Sequence, residues 1–229
     1  MRTQSKVHAA RTGGRVMPLR RTMDTRERVL AVALPLFAER GYRGTSLRDI
    51  ARRIGIKAPS LLHHFPSKQQ LYIAVLDQIF EGMEAAAQRI ANGKGTRQER
   101  LVRAIKDAID YIAKHPDSMK LLWKEMAEEN GVGRNLLKRR MPPLDAIEVN
   151  FIFRGQREGE FRHEIEPFHF IQSLHSITIG YFGTAAMIKR LWNVNLLDPA
   201  SIERRKREVV DMVERTLFLK PSGVAAPSH

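Results

Sequence analysis

The chain has 229 residues, of which 43% are hydrophobic, enough for a packed core in one large domain or a small and a medium one. It has no cysteine, which excludes disulfides, thiolate zinc sites and cysteine nucleophiles and fits a reducing compartment. The net charge of +14 is uneven: residues 1–70 hold fifteen Lys or Arg against four acids, while the other 159 residues hold 24 against 21. That is the pattern of a polyanion-binding module on a nearly neutral body, although a basic tail kept for solubility gives the same count.

Residues 1–23 have no apolar period and contain Gly13, Gly14 and Pro18, so a loose basic arm is expected there. From Thr25 onward the pattern is helical. The first helix starts at Thr25, an N-cap candidate. It shows Val29, Ala33, Leu36 and Phe37 on one face, carries Pro35 inside it, and ends at Gly41. The second starts at Ser46, with Asp49 three residues on as an approximate capping box. Leu47, Ile50, Ala51 and Ile54 form its stripe, and Gly55 stops it. A short third helix covers about 58–65, with Pro59 in its first turn. Ser67 then caps a long fourth helix, whose face runs Leu71, Val75, Ile79, Met83 and Ile90 until the break at 92–95. Five more helices are read at about 97–114, 117–129, 133–158, 167–191 and 199–218. Residues 221–229 read as a loose tail.

Only Gly55, Ile56 and Lys57 join the second and third helices, the spacing of a helix-turn-helix. A turn this tight leaves the second helix of the pair free to enter a major groove. Ordinary helical corners share the spacing, so the surrounding residues matter. They read Thr25-Arg-Glu-Arg-Val-Leu, Leu36-Phe-Ala-Glu-Arg-Gly-Tyr42, Thr45-Ser-Leu-Arg-Asp-Ile-Ala51, Gly55-Ile56, Ser60-Leu-Leu-His-His-Phe65 and Ser67-Lys68. Over about 48 residues this resembles the DNA-binding domain of the tetracycline-repressor (TetR) family. The C-terminal part resembles the family only in helix count and layout.

Thr45 and Ser46 place hydroxyls at a helix start, a ready phosphate site, and Arg48 one turn in can reach a phosphate or a guanine edge. The resemblance implies that Lys57, Ala58, Pro59 and Ser60 open the recognition helix, and that His63, His64 and Lys68 complete the DNA contacts. Two departures stand out. Leu62 replaces a tyrosine common in the family, and Ala58 stands where a larger polar side chain often reads a base. The arm, with Arg20 and Arg21, is then expected to compensate along the backbone or in a minor groove.

The resemblance further implies an all-α architecture of about nine helices: a basic arm (1–23), a DNA-binding domain (24–70), a regulatory and dimerisation domain (71–220) and a tail (221–229). Dimer contacts are expected from Leu174, Thr178, Tyr181, Phe182 and Ala185 on the eighth helix and from Val209, Met212 and Val213 on the ninth. An apolar effector pocket is expected from Met83, Tyr111, Met119, Trp123, Met126, Phe151, His169 and Phe170, all of which could equally be plain core.

The longest nearly uncharged apolar stretch, Ile177 to Ile188, is too short for a bilayer, and no secretory signal is legible, so a cytoplasmic protein without a membrane partner is expected. His163, His169 and His175 are spaced by six rather than four, so no metal site is expected from them. No P-loop, dinucleotide fingerprint, H-E-x-x-H or G-x-S-x-G occurs, so neither catalysis nor a cofactor is expected. The reading is a homodimeric repressor released from a double-stranded operator by an apolar or amphipathic small molecule. A sequence-tolerant architectural DNA binder and an activator of the same fold are the alternatives.

Overall fold

The computed structural model describes residues 24–219; the expectations for the arm, for Arg20 and Arg21, and for the 221–229 tail lie outside them. The described residues form ten α-helices: α1 (Thr25–Arg40), α2 (Leu47–Ile54), α3 (Ala58–His64), α4 (Lys68–Asn92), α5 (Arg97–Lys114), α6 (Pro116–Ala127), α7 (Arg134–Arg157), α8 (Pro167–Gly183), α9 (Ala185–Trp192) and α10 (Pro199–Leu217). The fold is all-α, and its one extended pairing among these residues is a single bridge between Phe161 and Phe218.

The helix starts follow their caps. The Ser46, Ser67 and Thr96 hydroxyls accept the backbone N–H three residues on, and Thr96 with Glu99 closes a full capping box. Asp24, not Thr25, holds the N-cap position of α1, and its side chain makes no capping bond. α1 runs on through Pro35.

One continuous helix over 167–191 was expected; the structure divides it into α8 and α9, which makes ten helices instead of nine. The Thr184 hydroxyl donates to the carbonyls of Gly180 (2.9 Å) and Tyr181 (3.1 Å), and this back-bonding disturbs the helical ladder at the joint. Asn193 in the left-handed region then ends α9 (φ 56°).

α1 to α3 form a small bundle around Phe37, Ile50, Leu61 and Phe65. α4 leaves this bundle and packs on α7 and α5, and α6 packs on α1, so the head and the body share one continuous core. α10 lies on α5, and its end is held to the α7–α8 loop. There the Arg162 N–H donates to the Leu217 carbonyl (2.8 Å), and the Phe161 and Phe218 rings stack at 5.5 Å.

Candidate nucleic-acid interface and effector cavity

The turn between α2 and α3 depends on Gly55, whose backbone is left-handed (φ 79°, ψ 30°). Its N–H and that of Ile56 both reach the Ala51 carbonyl at 3.0 Å, which closes α2 and swings the chain into α3. Leu61 is fully buried and sets the rotation of α3. Lys57, Pro59, Ser60 and His63 are consequently exposed, whereas Ala58 and His64 are half-buried. Arg43, Arg48, Arg52 and Arg53 add exposed cations from α2 and the loop before it. The only acid on α2, Asp49, accepts from the Ser46 hydroxyl (2.7 Å), which holds its carboxyl below the usual range, and it pairs with Arg52 at 2.5 Å. The surface around the turn is therefore strongly basic.

Two of the predicted contact residues, Thr45 and Lys68, have structural roles within the protomer. Thr45 is 2% exposed, and its hydroxyl donates to the Leu36 and Gly41 carbonyls (3.1 and 2.9 Å), tying the α1–α2 loop to the end of α1. A hydroxyl so enclosed cannot meet a phosphate, so the expectation for Thr45 is corrected. Lys68 donates to the Tyr42 and Thr45 carbonyls (3.0 and 3.1 Å) and lies 4.3 Å from the Tyr42 ring centroid. It clamps the same loop, with one ammonium proton left over. Thr45→Val should cost about 1–2 kcal/mol of stability through the lost hydrogen bonds, measured by denaturant unfolding, while the DNA affinity of the folded protein stays unchanged. A large loss of DNA affinity at unchanged stability would restore Thr45 as a contact residue.

In the body, α4 to α8 enclose a cavity of about 340 Å³ with mostly apolar walls. Of the eight residues expected at an apolar pocket, Met83, Tyr111, Met119 and Phe151 line this cavity. The other four predicted residues do not. Trp123 and Met126 are exposed on α6, and His169 and Phe170 border a separate groove between α8 and α10. The face of α6 that turns inward is the one carrying Met119, Leu122 and Glu125, and Trp123 falls off it.

The polar cavity groups are few: Arg89, Asp107, Tyr111, Glu148, His175 and Thr178. Burial pushes the Tyr111 phenol upward. Nε2 of His175 lies 2.8 Å from Glu148 Oε2. Burial opposes the charged ring, but the Glu148 bond and charge, with the nearby Asp145 carboxylate, outweigh it and raise the His175 pKa. Burial raises the Asp145 carboxyl as well. Along the sequence His175 stands six residues from His169, not the spacing of a shared helix face. The groups it faces come from α7, and Asp145 and Glu148 share a helix face by their i, i+3 spacing, the signal that was available.

α6 connects the cavity to the head. Met119 lines the cavity; five residues on, the Lys124 ammonium donates to the Ala38 and Glu39 carbonyls at the C-terminus of α1 (2.8 and 3.2 Å). Burial, then Lys120, pulls the Lys124 pKa down. Glu125 is 4% exposed and accepts from the Tyr72 hydroxyl of α4 (2.6 Å) and the Gly133 N–H (2.5 Å). Burial and this carboxylate push the Tyr72 phenol far up. A Cβ at position 133 would come within 2.4 Å of Leu76 Cδ1 and 3.0 Å of the Glu125 carboxylate, so a side chain there would force this junction to shift.

Of the predicted dimer residues, Thr178, Phe182, Ala185 and Val209 are buried inside the protomer, which removes them as surface contacts, and Val213 is buried at the base of the α8–α10 groove. Phe182 and Val213 belong to the main core and α10 rests on α5. Tyr181 and Leu174 are half-buried, and Met212 is exposed at 47% beside the α8–α10 groove.

An exposed basic helix-turn-helix joined to a helical body with an internal cavity defines a one-component regulator. The match to bacterial regulatory proteins of the tetR family over residues 29–75, followed by a tetracyclin repressor-like C-terminal domain over 98–213, places the chain in the TetR family of transcriptional regulators. It is 45% identical over 198 residues to the HTH-type transcriptional regulator RutR of Escherichia coli, covering 83% of this chain and 87% of that protein. It is 31% identical over 172 residues to the HTH-type transcriptional repressor KstR2 of Rhodococcus jostii (69% and 79%). Among solved structures, that of KstR2 of Mycobacterium tuberculosis superposes with a TM-score of 0.67 at 22% identity, over 85% of this chain and 95% of that one. AibR in complex with isovaleryl coenzyme A and operator DNA gives 0.65 at 19% (82% and 96%). These relatives are named as regulators, not enzymes, and no helix among the described residues is long and apolar enough to cross a membrane.

Proposed function

We propose that this TetR-family regulator is a homodimeric repressor that binds a pseudo-palindromic operator in the cytoplasm and releases it when a small apolar or amphipathic molecule enters the cavity. The observation that carries the reading is the exposed edge of α3, with Lys57, Pro59, Ser60 and His63 flanked by exposed Arg48 and Arg53. Lys57 to Ser60 meet base edges, and Arg48, His63, His64 and Lys68 hold the backbone. The fold is shared with AibR, which holds operator DNA and an acyl-coenzyme A, and with a choline-bound regulator, which supports a small-molecule effector in the body.

The two recognition helices are paired through a second copy seated on the α8–α10 groove. Ile165, Phe170, Leu174, Ile177 and Met212 give this groove an apolar floor. Release runs through α6: an effector that favours a shifted α6 moves Lys124 and, with it, the end of α1. Differential affinity for the two positions is what the effector must supply.

Sedimentation equilibrium tests the pairing on which the reading depends. The wild type should run at twice the 26.2 kDa chain mass. Met212→Asp should shift it toward the monomer and weaken operator binding by more than tenfold, since a buried unpaired charge costs several kcal/mol. A monomeric wild type that still binds DNA tightly would overturn the dimer.

A further inference from the structure

We propose that Asp145, Glu148 and His175 form a binding site for a divalent first-row transition-metal ion in the wall of the effector cavity. Each offers one ligand atom, and the three atoms lie within 4.8 Å of one another. A single ion bonded at about 2.0–2.2 Å bridges atoms at most about 4.4 Å apart, so side-chain shifts of a few tenths of an ångström bring all three onto one ion. Asp145 and Glu148 project from the same face of α7, and His175 reaches them from the packed neighbour α8.

The cluster is poorly balanced without a cation. Two carboxylates are held side by side in a partly dry site, and no lysine or arginine among the described residues pairs with either. His175 is the one basic group, and its Nε2 edge at 2.8 Å faces Glu148. Oδ1 of Asp145 is shielded from solvent and accepts no hydrogen bond. A buried carboxylate oxygen without a partner is costly, and native proteins rarely leave one.

A divalent ion would neutralise both acids and use the imidazole as a neutral ligand. Two oxygens and one nitrogen suit Zn²⁺, Mn²⁺ or Fe²⁺. Three protein ligands leave a coordination position open. Glu148 and His175 both line the cavity, so that position faces its interior and is left to water or to a donor atom of the effector. The inference uses the cavity described above but not the DNA-binding reading.

The full chain, stripped with EDTA and dialysed, should be titrated calorimetrically with Zn²⁺ alone, in the absence of DNA and effector. One equivalent per chain is expected at the site, with a raised melting temperature. Glu148→Gln and His175→Ala should each weaken this binding by at least about 100-fold, while their melting temperatures in EDTA stay close to that of the stripped wild type. X-ray absorption on the zinc-loaded wild type gives an independent reading that needs no variant: one imidazole and an otherwise oxygen shell. Absence of stoichiometric zinc, equal binding by the variants, or a shell with two or more imidazoles from the chain's other histidines would overturn the site. None of these results bears on operator binding.

Discussion

Glu125→Ala should lower stability by about 3–4 kcal/mol and the melting temperature by roughly 10 °C. The carboxylate accepts two short hydrogen bonds, from Tyr72 and from the Gly133 amide, in a place that water does not reach. Alanine leaves both donors buried and unpaired, and each then carries its full desolvation penalty. Tyr72→Phe removes one bond but keeps the ring, which sits edge-on to Phe37 (4.9 Å) and Tyr42 (5.2 Å). It should cost about 1–2 kcal/mol. The order is therefore wild type, then Tyr72→Phe, then Glu125→Ala, read by urea or thermal unfolding. A Glu125→Ala protein within 1 kcal/mol of wild type would mean that the α4–α6 junction is held by apolar packing instead.

The double substitution Arg48→Ala with Lys57→Ala should reduce affinity for a specific duplex by more than 100-fold without changing the melting temperature. Both side chains are exposed on the helix-turn-helix. A base-edge contact by Lys57 is worth about 1–3 kcal/mol, and an Arg48–phosphate contact adds a salt-dependent increment. The two singles should differ in kind. Lys57→Ala should relax specificity at one base position, while Arg48→Ala should weaken all sequences alike and reduce the salt slope by about one. Retained affinity in the double variant would remove the α2–α3 surface from the interface.

The helix-turn-helix was legible because its signals are local. Ser46 caps a helix three residues before Asp49, Gly55 needs a left-handed backbone, and Leu61 has no polar alternative to burial. Those residues define the element wherever it sits in a fold. Thr45 was misread for the same reason: a hydroxyl beside a helix start looks like a cap or a phosphate ligand, and nothing local reveals that the end of α1 folds over it.

The cavity was only half legible. A methionine or aromatic at helical spacing says that a face is apolar, not which neighbour covers it. Met119 and Trp123 differ by one turn of α6, yet one lines the cavity and the other is 43% exposed. Some dimer candidates differ in the opposite sense: Val209 is apolar enough for an interface but the protomer itself covers it, whereas Met212 stays exposed. Contacts far apart in sequence, such as Tyr72 with Glu125 and Glu148 with His175, needed the fold.

The most direct test of the account is selection of bound duplexes from a random pool with the purified full chain at physiological salt. The account predicts enrichment of one pseudo-palindromic site, with two half-sites related by a dyad and one chain on each. Binding without any enriched motif would contradict it and favour a sequence-tolerant architectural protein, with Ala58 and Leu62 then marking a real loss of base readout.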